Sequence, residues 1–336
     1  MTVINGIEID FITYKENEMK QAIINNEPLE KFLHVIIVVS NSGQFARRYI
    51  LTKEFIDRIE REETNVRLYV VELAYGDKPF IITDAHNARH LQLRTEVPLW
   101  HKENMINIGV EKLLPPTWKA FAWIDADIDF ESPTWALDTL RILNGSRDIV
   151  QLFSHSLDMD LAEQTMRVFN SFAFQYTKKQ QYANQGVNYW HPGYAWAITR
   201  RAYERIGGLY DLGILGSSDN IMSLCLIDAG LKGIQKESSE DYKETVLEYQ
   251  KKMRSLRLGY TPGVIRHHFH GSKKNRKYSE RWQILIHHGY SPTRDLCRNR
   301  DGLLVPTAAC PVGMLEEIRD YFVERKEDEG LESVIK

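Results

Sequence analysis

Phe32-Leu33-His34-Val35-Ile36-Ile37-Val38-Val39-Ser40 is a β-branched run broken only by His34. A strand with one wet face alternates apolar and polar residues. A strand apolar at consecutive positions is buried on both faces, as in the middle of a parallel sheet. Outward from it, Asn41-Ser42-Gly43 reads as a turn, and Arg48 to Glu63 carries a charged helical period. Val66 to Leu73 reads as a second strand. His101 to Leu114 reads as a helix closed by Pro115-Pro116, and Trp118 to Ile124 as a third strand. This alternation predicts an α/β fold: an open, mostly parallel, twisted sheet with helices on both faces.

The second half is more mixed. Asp148–Phe153, Tyr194–Thr199 and Ile265–His270 read as strands, and Arg200–Ile206 as a short helix stopped by Gly207-Gly208. Asp219–Ala229 reads as a helix ended by Gly230. The charged stretch Lys236–Arg257 reads as a solvent-facing helix. A late helix from Met314 runs through Glu324–Glu329 into a frayed tail. The first thirty residues are polar and read as a peripheral hairpin or helix.

The chain has 336 residues and a formal net charge of −3, which argues against a general nucleic-acid binder. Cys225, Cys297 and Cys310 are widely spaced, without a metal or redox pattern, and read as reduced. No apolar run approaches the roughly 20 residues a membrane span needs. The N-terminus lacks the basic and apolar regions of a secretion signal. A cytoplasmic protein is the expectation.

Trp123-Ile124-Asp125-Ala126-Asp127-Ile128-Asp129 carries the chemistry. The third strand delivers Asp125 and Asp127 to the carboxyl edge of the sheet, where open α/β sheets bind ligands. Residues two apart in an extended chain point the same way. Both carboxylates can therefore address one Mn²⁺ or Mg²⁺, which relieves their repulsion and neutralises phosphate charge. A solvated acidic turn is the competing reading. Asp129 reads as a turn residue or a cap for a helix starting near Ser132-Pro133.

The segment Ile124-Asp125-Ala126-Asp127 resembles the DxD motif of GT-A glycosyltransferases. Gly193-Tyr194-Ala195-Trp196-Ala197-Ile198-Thr199-Arg200 with Gly207-Gly208-Leu209-Tyr210-Asp211 resembles a strand and helix shared by many inverting members. Gly213-Ile214-Leu215-Gly216-Ser217-Ser218-Asp219-Asn220 resembles the glycine-rich acidic segment of β-1,4-galactosyltransferase-like enzymes. Arg266-His267-His268-Phe269-His270-Gly271-Ser272-Lys273-Lys274-Asn275 resembles their late metal-binding histidine and basic stretch. The resemblance implies a GT-A domain over residues 31–290, between a peripheral segment at 1–30 and a C-terminal helical extension at 291–336. It implies Asp127 as a direct metal ligand, His270 or else His268 as a second, and Mn²⁺ (or Mg²⁺) as the ion. Asp125 is expected near the donor's ribose or the metal's water, and Asp219 as the general base that gives inversion. Ser40 and Glu72 match base and ribose positions, and Lys102 and Asn104 match diphosphate or ribose contacts. The partners implied are a nucleotide-diphosphate sugar, UDP-sugar first, and a hydroxyl-bearing acceptor such as a glycan or lipid-linked sugar. The acidic segment departs from the doubly acidic galactosyltransferase version. The Golgi enzymes' membrane anchor has no counterpart, which suggests a bacterial or viral setting.

Each site has a structural alternative. Asp219 opens a helix and could simply cap it. Adjacent histidines point to opposite faces of a strand, so His268 and His270 share one face with His267 on the other, whereas a surface His-rich strand needs no metal. Lys273, Lys274, Arg276 and Lys277 form either a solvated loop or a basic lid over phosphates. The rival functions are a nucleotide-sugar binder without catalysis, a nucleotidyltransferase and a metal-dependent hydrolase. Asn41-Ser42-Gly43-Gln44 is poor in glycine and lysine for a triphosphate cradle. DNA as acceptor is conceivable through the basic run, but the acidic overall balance disfavours it.

Overall fold

The computed structural model describes residues 2–4, 7–9 and 25–329. Strands β1 (Thr2–Ile4) and β2 (Ile7–Ile9) pair antiparallel. Then come β3 (Leu33–Ser40), α1 (Ala46–Glu62), β4 (Val66–Tyr75), β5 (His90–Thr95), α2 (Lys102–Leu113) and β6 (Ala120–Ile124). Next are β7 (Ile128–Phe130), α3 (Trp135–Ile142), β8 (Ile149–Gln151), β9 (His155–Met159), β10 (Thr165–Ser171), α4 (Phe172–Thr177), β11 (Trp190–His191) and β12 (Ala195–Thr199). The chain continues through α5 (Arg200–Ile206), α6 (Ser218–Cys225), α7 (Glu240–Met253), β13 (Leu258–Tyr260) and β14 (Val264–His267). It closes with α8 (Trp282–His287), α9 (Pro292–Asp295), the hairpin β15 (Leu296–Arg298) and β16 (Leu304–Pro306), and α10 (Val312–Glu324).

Seven strands form the central sheet in the order β13-β8-β12-β6-β3-β4-β5. All run parallel except β12, which is antiparallel to both neighbours. The continuous apolar run of β3 is buried on both faces. Leu33, Val35, Ile37 and Val39 pack with Phe55 and Ile59 of α1 and Trp135 of α3, whereas Ile36 packs with Met105 and Ile106 of α2. Each such side chain contributes about 1.5–3 kcal/mol by leaving water. The α/β class with an open, mostly parallel sheet and helices on both faces is thus what the sequence adopts.

The chain leaves β3 towards β4 and β5 on one side, then returns to β6 on the other. This reversal opens a crevice at the carboxyl ends of β3 and β6, where open sheets take ligands. A second, five-stranded sheet, β11-β10-β9-β14-β7, stands beside that crevice. β14 pairs antiparallel with β7, which follows Asp127, and parallel with β9.

Two helices differ from expectation. The stretch read as solvent-facing forms α7, which buries Tyr242, Val246, Tyr249 and Met253, a helical stripe set among its charges. α6 ends at Cys225, earlier than Gly230. That glycine opens a 3₁₀ turn instead, where a Cβ would lie 2.7 Å from Cys225 Sγ. α10 ends at Glu324, before the charged stretch is over, and that stretch is packed, with Arg325 and Glu327 buried; the tail expected to fray lies outside the described residues.

Candidate metal centre

The crevice holds a cavity of about 170 Å³. Its walls include Ser40 at the end of β3, Tyr75, Trp100, Asp125, Asp127, Tyr194, His267 and His270. Arg48, Lys102, Arg276 and Arg325 also line it, against the carboxylates of Asp125, Asp127 and Glu327. A protein acidic overall has therefore built a cavity with more cations than anions, a setting for an anionic ligand.

Asp127, His267 and His270 converge so that one ligand atom from each lies within 4.8 Å of the others. His270 Nε2 is 2.9 Å from Asp127 Oδ2 and 3.3 Å from His267 Nε2. The other ring nitrogen of His267, Nδ1, donates to Asp158 at 2.9 Å, because a carboxylate can only accept. In the neutral ring, Nε2 of His267 then carries a lone pair. Arg276 Nη2 donates to the His270 ring, 2.7 Å from Nε2 and 3.1 Å from Nδ1. Oδ1 of Asp127 is buried with no hydrogen-bond partner. Acceptor atoms that converge in a buried site call for a cation among them. Two imidazoles and one carboxylate suit Mn²⁺ or another transition ion better than the oxygen-preferring Mg²⁺.

Burial alone would raise the Asp127 carboxyl, but His270 and His267 outweigh it and hold it well below the usual carboxylate range. Burial lowers His267 from its ordinary value despite its carboxylate neighbours. Asp158, buried at 2% exposure, is held low by His267 and Lys273 against its own desolvation. Tyr194 donates to Asp158 at 2.8 Å. Its ring lies between those of His191 and His267, with centroids 4.1 and 4.6 Å away. Its backbone sits at φ 77°, a conformation that costs a bulky residue about 1–3 kcal/mol and that gathers at functional sites.

The structure redistributes the expected roles. Lys102 pairs with Asp125 and both line the cavity. Burial would lower the Lys102 ammonium, but Asp125, Glu103 and Asp219 outweigh it and raise it. Burial raises the Asp125 carboxyl, with Lys102 opposing. Ser40 lines the cavity and shares a 2.6 Å hydrogen bond with Tyr75. Glu72 is not free for a ribose. Its carboxylate accepts from the backbone N–H groups of Ile81, Ile82 and Thr83 and from the Thr83 hydroxyl, at 2.7–3.3 Å. Asn104 is likewise structural: it donates to Asp211 and the Gly302 carbonyl and accepts from Leu304 N–H. For both residues, expected at a ribose or diphosphate, the partners seen here are protein groups.

His268 does not share the cluster. The strand stops at His267, and a turn at Gly271 follows, so alternation fails beyond that point and His270 swings back beside His267. His268 points instead at Asp129, with Nε2 3.0 Å from Oδ2, and Arg58 also pairs with Asp129. Asp129 therefore caps no helix; α3 starts after Thr134. Asp219 lies inside the first turn of α6, and the N-cap is Ser217 at φ 74°. Its Oδ1 accepts only from the adjacent Asn220 N–H, at 2.8 Å. Asp219 lines a narrow cleft with Trp123, Trp196 and Met222 rather than the cavity itself. A Cβ at Gly193 would lie 3.0 Å from Asp219 Oδ2 and 3.2 Å from His191 Cε1, so only glycine leaves both groups in place.

Sequence reasoning missed Asp158, Arg48 and Glu327, and weighed His267 only as the residue facing away. Asp158 and His267 are register partners on β9 and β14. A contact spanning 109 positions leaves no local signal.

No known family matches the sequence, and no curated protein matches it. Solved structures do match. One is a Drosophila β-1,4-galactosyltransferase 7 mutant in complex with manganese, UDP-Gal and xylobiose. It shares 10% identity over 85% of this chain and 98% of its own, with a TM-score of 0.39.

Proposed function

We propose that the protein is a metal-dependent glycosyltransferase using a nucleotide-diphosphate sugar, with a UDP-sugar the first donor to test. The observation that carries the reading is the convergence of Asp127, His267 and His270 at the mouth of a cation-rich cavity on the carboxyl edge of the sheet. Those three residues would hold the ion, which when bound supplies positive charge to a departing diphosphate. Arg48, Arg276, Arg325 and Lys102 are placed to bind phosphate oxygens, with Lys102 held beside Asp125. Trp100 and Tyr75 offer ring faces and edges to a base.

Asp219 is the proposed general base: a carboxylate whose Oδ2 has no hydrogen bond among the described residues and lies close to Gly193, and that would take the proton of an acceptor hydroxyl during in-line attack. Inversion at the sugar carbon follows from that single displacement. A second reading, a nucleotide-sugar binder without transfer, is favoured by one fact: Asp219 lines a cleft beside the cavity, not the cavity itself.

The test is calorimetry and donor hydrolysis with Mn²⁺ and a panel of nucleotide sugars, with and without EDTA. Metal-dependent binding of one donor that is lost in Asp127→Ala supports the reading. Absence of binding by every nucleotide diphosphate and its sugars in Mn²⁺ would sink it.

A further inference from the structure

Both histidines of the cluster turn one nitrogen inward and the other towards a buried carboxylate. For His267 the carboxylate is Asp158. For His270 it is Glu327, whose Oε2 lies 3.8 Å from Nδ1, with Arg276 Nη2 closer to that nitrogen at 3.1 Å. Glu327 is 2% exposed and belongs to the segment that follows α10, 200 positions after Asp127.

That segment is fastened at several independent points. Arg48 grips Glu327 with a fork, Nε to Oε2 at 2.9 Å and Nη2 to Oε1 at 2.6 Å, while Arg325 pairs with Glu327 within the segment itself at 2.7 Å. The next residue, Asp328, accepts from the free N–H groups of Ala46 and Arg47 at 2.9 and 2.8 Å, at the start of the long helix α1. Its backbone also passes Gly271, φ 88°, so closely that a Cβ there would lie 2.9 Å from Glu327 Cα. Gly271 directly follows His270, so the arm touches the histidine's own turn.

We propose that Arg325–Asp328 is part of the metal centre, with Glu327 a positioning residue for His270, so that arm docking and divalent-cation binding strengthen each other. This rests on the metal-dependent reading above. At 3.8 Å Glu327 acts on the His270 ring as a neighbouring buried negative charge, whereas Asp158 holds His267 through a hydrogen bond. The Glu327 charge also offsets the repulsion that Arg48, Arg276 and Arg325 exert on an incoming cation. Linkage makes the effect reciprocal: whatever docking adds to cation affinity, the cation adds to docking.

The experiment uses the full chain and Mn²⁺ alone. Hydrogen exchange of peptides covering 322–329 is followed with and without Mn²⁺, and Mn²⁺ affinity is measured by calorimetry for the wild type, Glu327→Gln and Asp328→Asn. Coupling predicts slower arm exchange with Mn²⁺ and affinity weakened about 10-fold or more in Glu327→Gln. Asp328→Asn, which loosens the arm without touching His270, is expected to weaken Mn²⁺ binding by a smaller factor. Should Glu327→Gln fail to fold, the wild-type exchange result decides. Unchanged arm exchange on Mn²⁺ binding, or a folded Glu327→Gln that binds Mn²⁺ as tightly as the wild type, would overturn the proposal while leaving the metal site standing. A wild type that binds no Mn²⁺ would overturn the metal-dependent reading, and this inference with it.

Discussion

Asp158 and His267 face each other across adjacent parallel strands, and the histidine donates its Nδ1 proton to the carboxylate at 2.9 Å. The bond sets which ring nitrogen points into the cluster. Asp158→Asn can instead offer its amide N–H to Nδ1, favouring the opposite tautomer and placing a proton where a cation would bind. Mn²⁺ affinity is expected to fall about 10- to 100-fold. Calorimetry checks this, and an unchanged affinity would show that Asp158 serves only Tyr194 and Lys273.

Asp219→Asn keeps size and helix position but cannot take a proton. Donor and metal affinity should stay within a factor of about three. Turnover with acceptor should drop by roughly 10²–10⁴, the usual contribution of a positioned base. Equal loss of binding and turnover would assign Asp219 to the donor site instead.

Gly193→Ala brings a methyl group to 3.0 Å from Asp219 Oδ2 and 3.2 Å from His191 Cε1. One or both must shift. Displacement of about 1 Å near a reacting group can cost about 10²-fold in rate. The expected signature is a larger loss of turnover than of Mn²⁺ binding, since neither Asp219 nor His191 is among the three converging side chains. Normal acceptor kinetics in the variant would argue against a catalytic Asp219.

Glu103, 3% exposed on α2, titrates at about 7, raised mainly by burial and opposed by Lys102. Its folded-state pKa lies above the ordinary 4.5. Between those values the folded chain holds a proton that the unfolded chain has lost. Stability from this group therefore falls as pH rises from about 4.5 to 7 and is flat above that. Glu103→Gln removes the penalty. At pH 8 it should be more stable than the wild type by up to the order of 3 kcal/mol, and close to it at pH 4. Urea unfolding at the two pH values measures the difference, and a gap that is larger at low pH contradicts the assignment.

How much of this was legible depended on range. The β3 run declares a strand buried on both faces because period and composition are local, and the structure packs α1 and α2 on its two sides accordingly. Asp127 was visible because it follows a strand. His267 was misjudged because alternation was extended past the end of β14, where the turn at Gly271 brings His270 back. Glu72, at a strand end, needed a partner that the sequence did not name, and backbone N–H groups at 81–83 supply it; Asn104, expected near a diphosphate or ribose, is bonded to the loop near Gly302. Asp158 and Glu327 depend on a second sheet and a returning chain end, and no window of neighbouring residues encodes either.

The placement of Glu327 also sets a timetable for biosynthesis. Two hundred positions separate it from Asp127. At the ribosome's pace of about 5–20 residues per second, the aspartate waits roughly 10–40 s for its last neighbour to be made. Throughout that interval the nascent sheet can form from its early strands, but Arg48 has no carboxylate to grip and the first turn of α1 has no cap. Completion of the centre thus waits until the segment after α10 has been made.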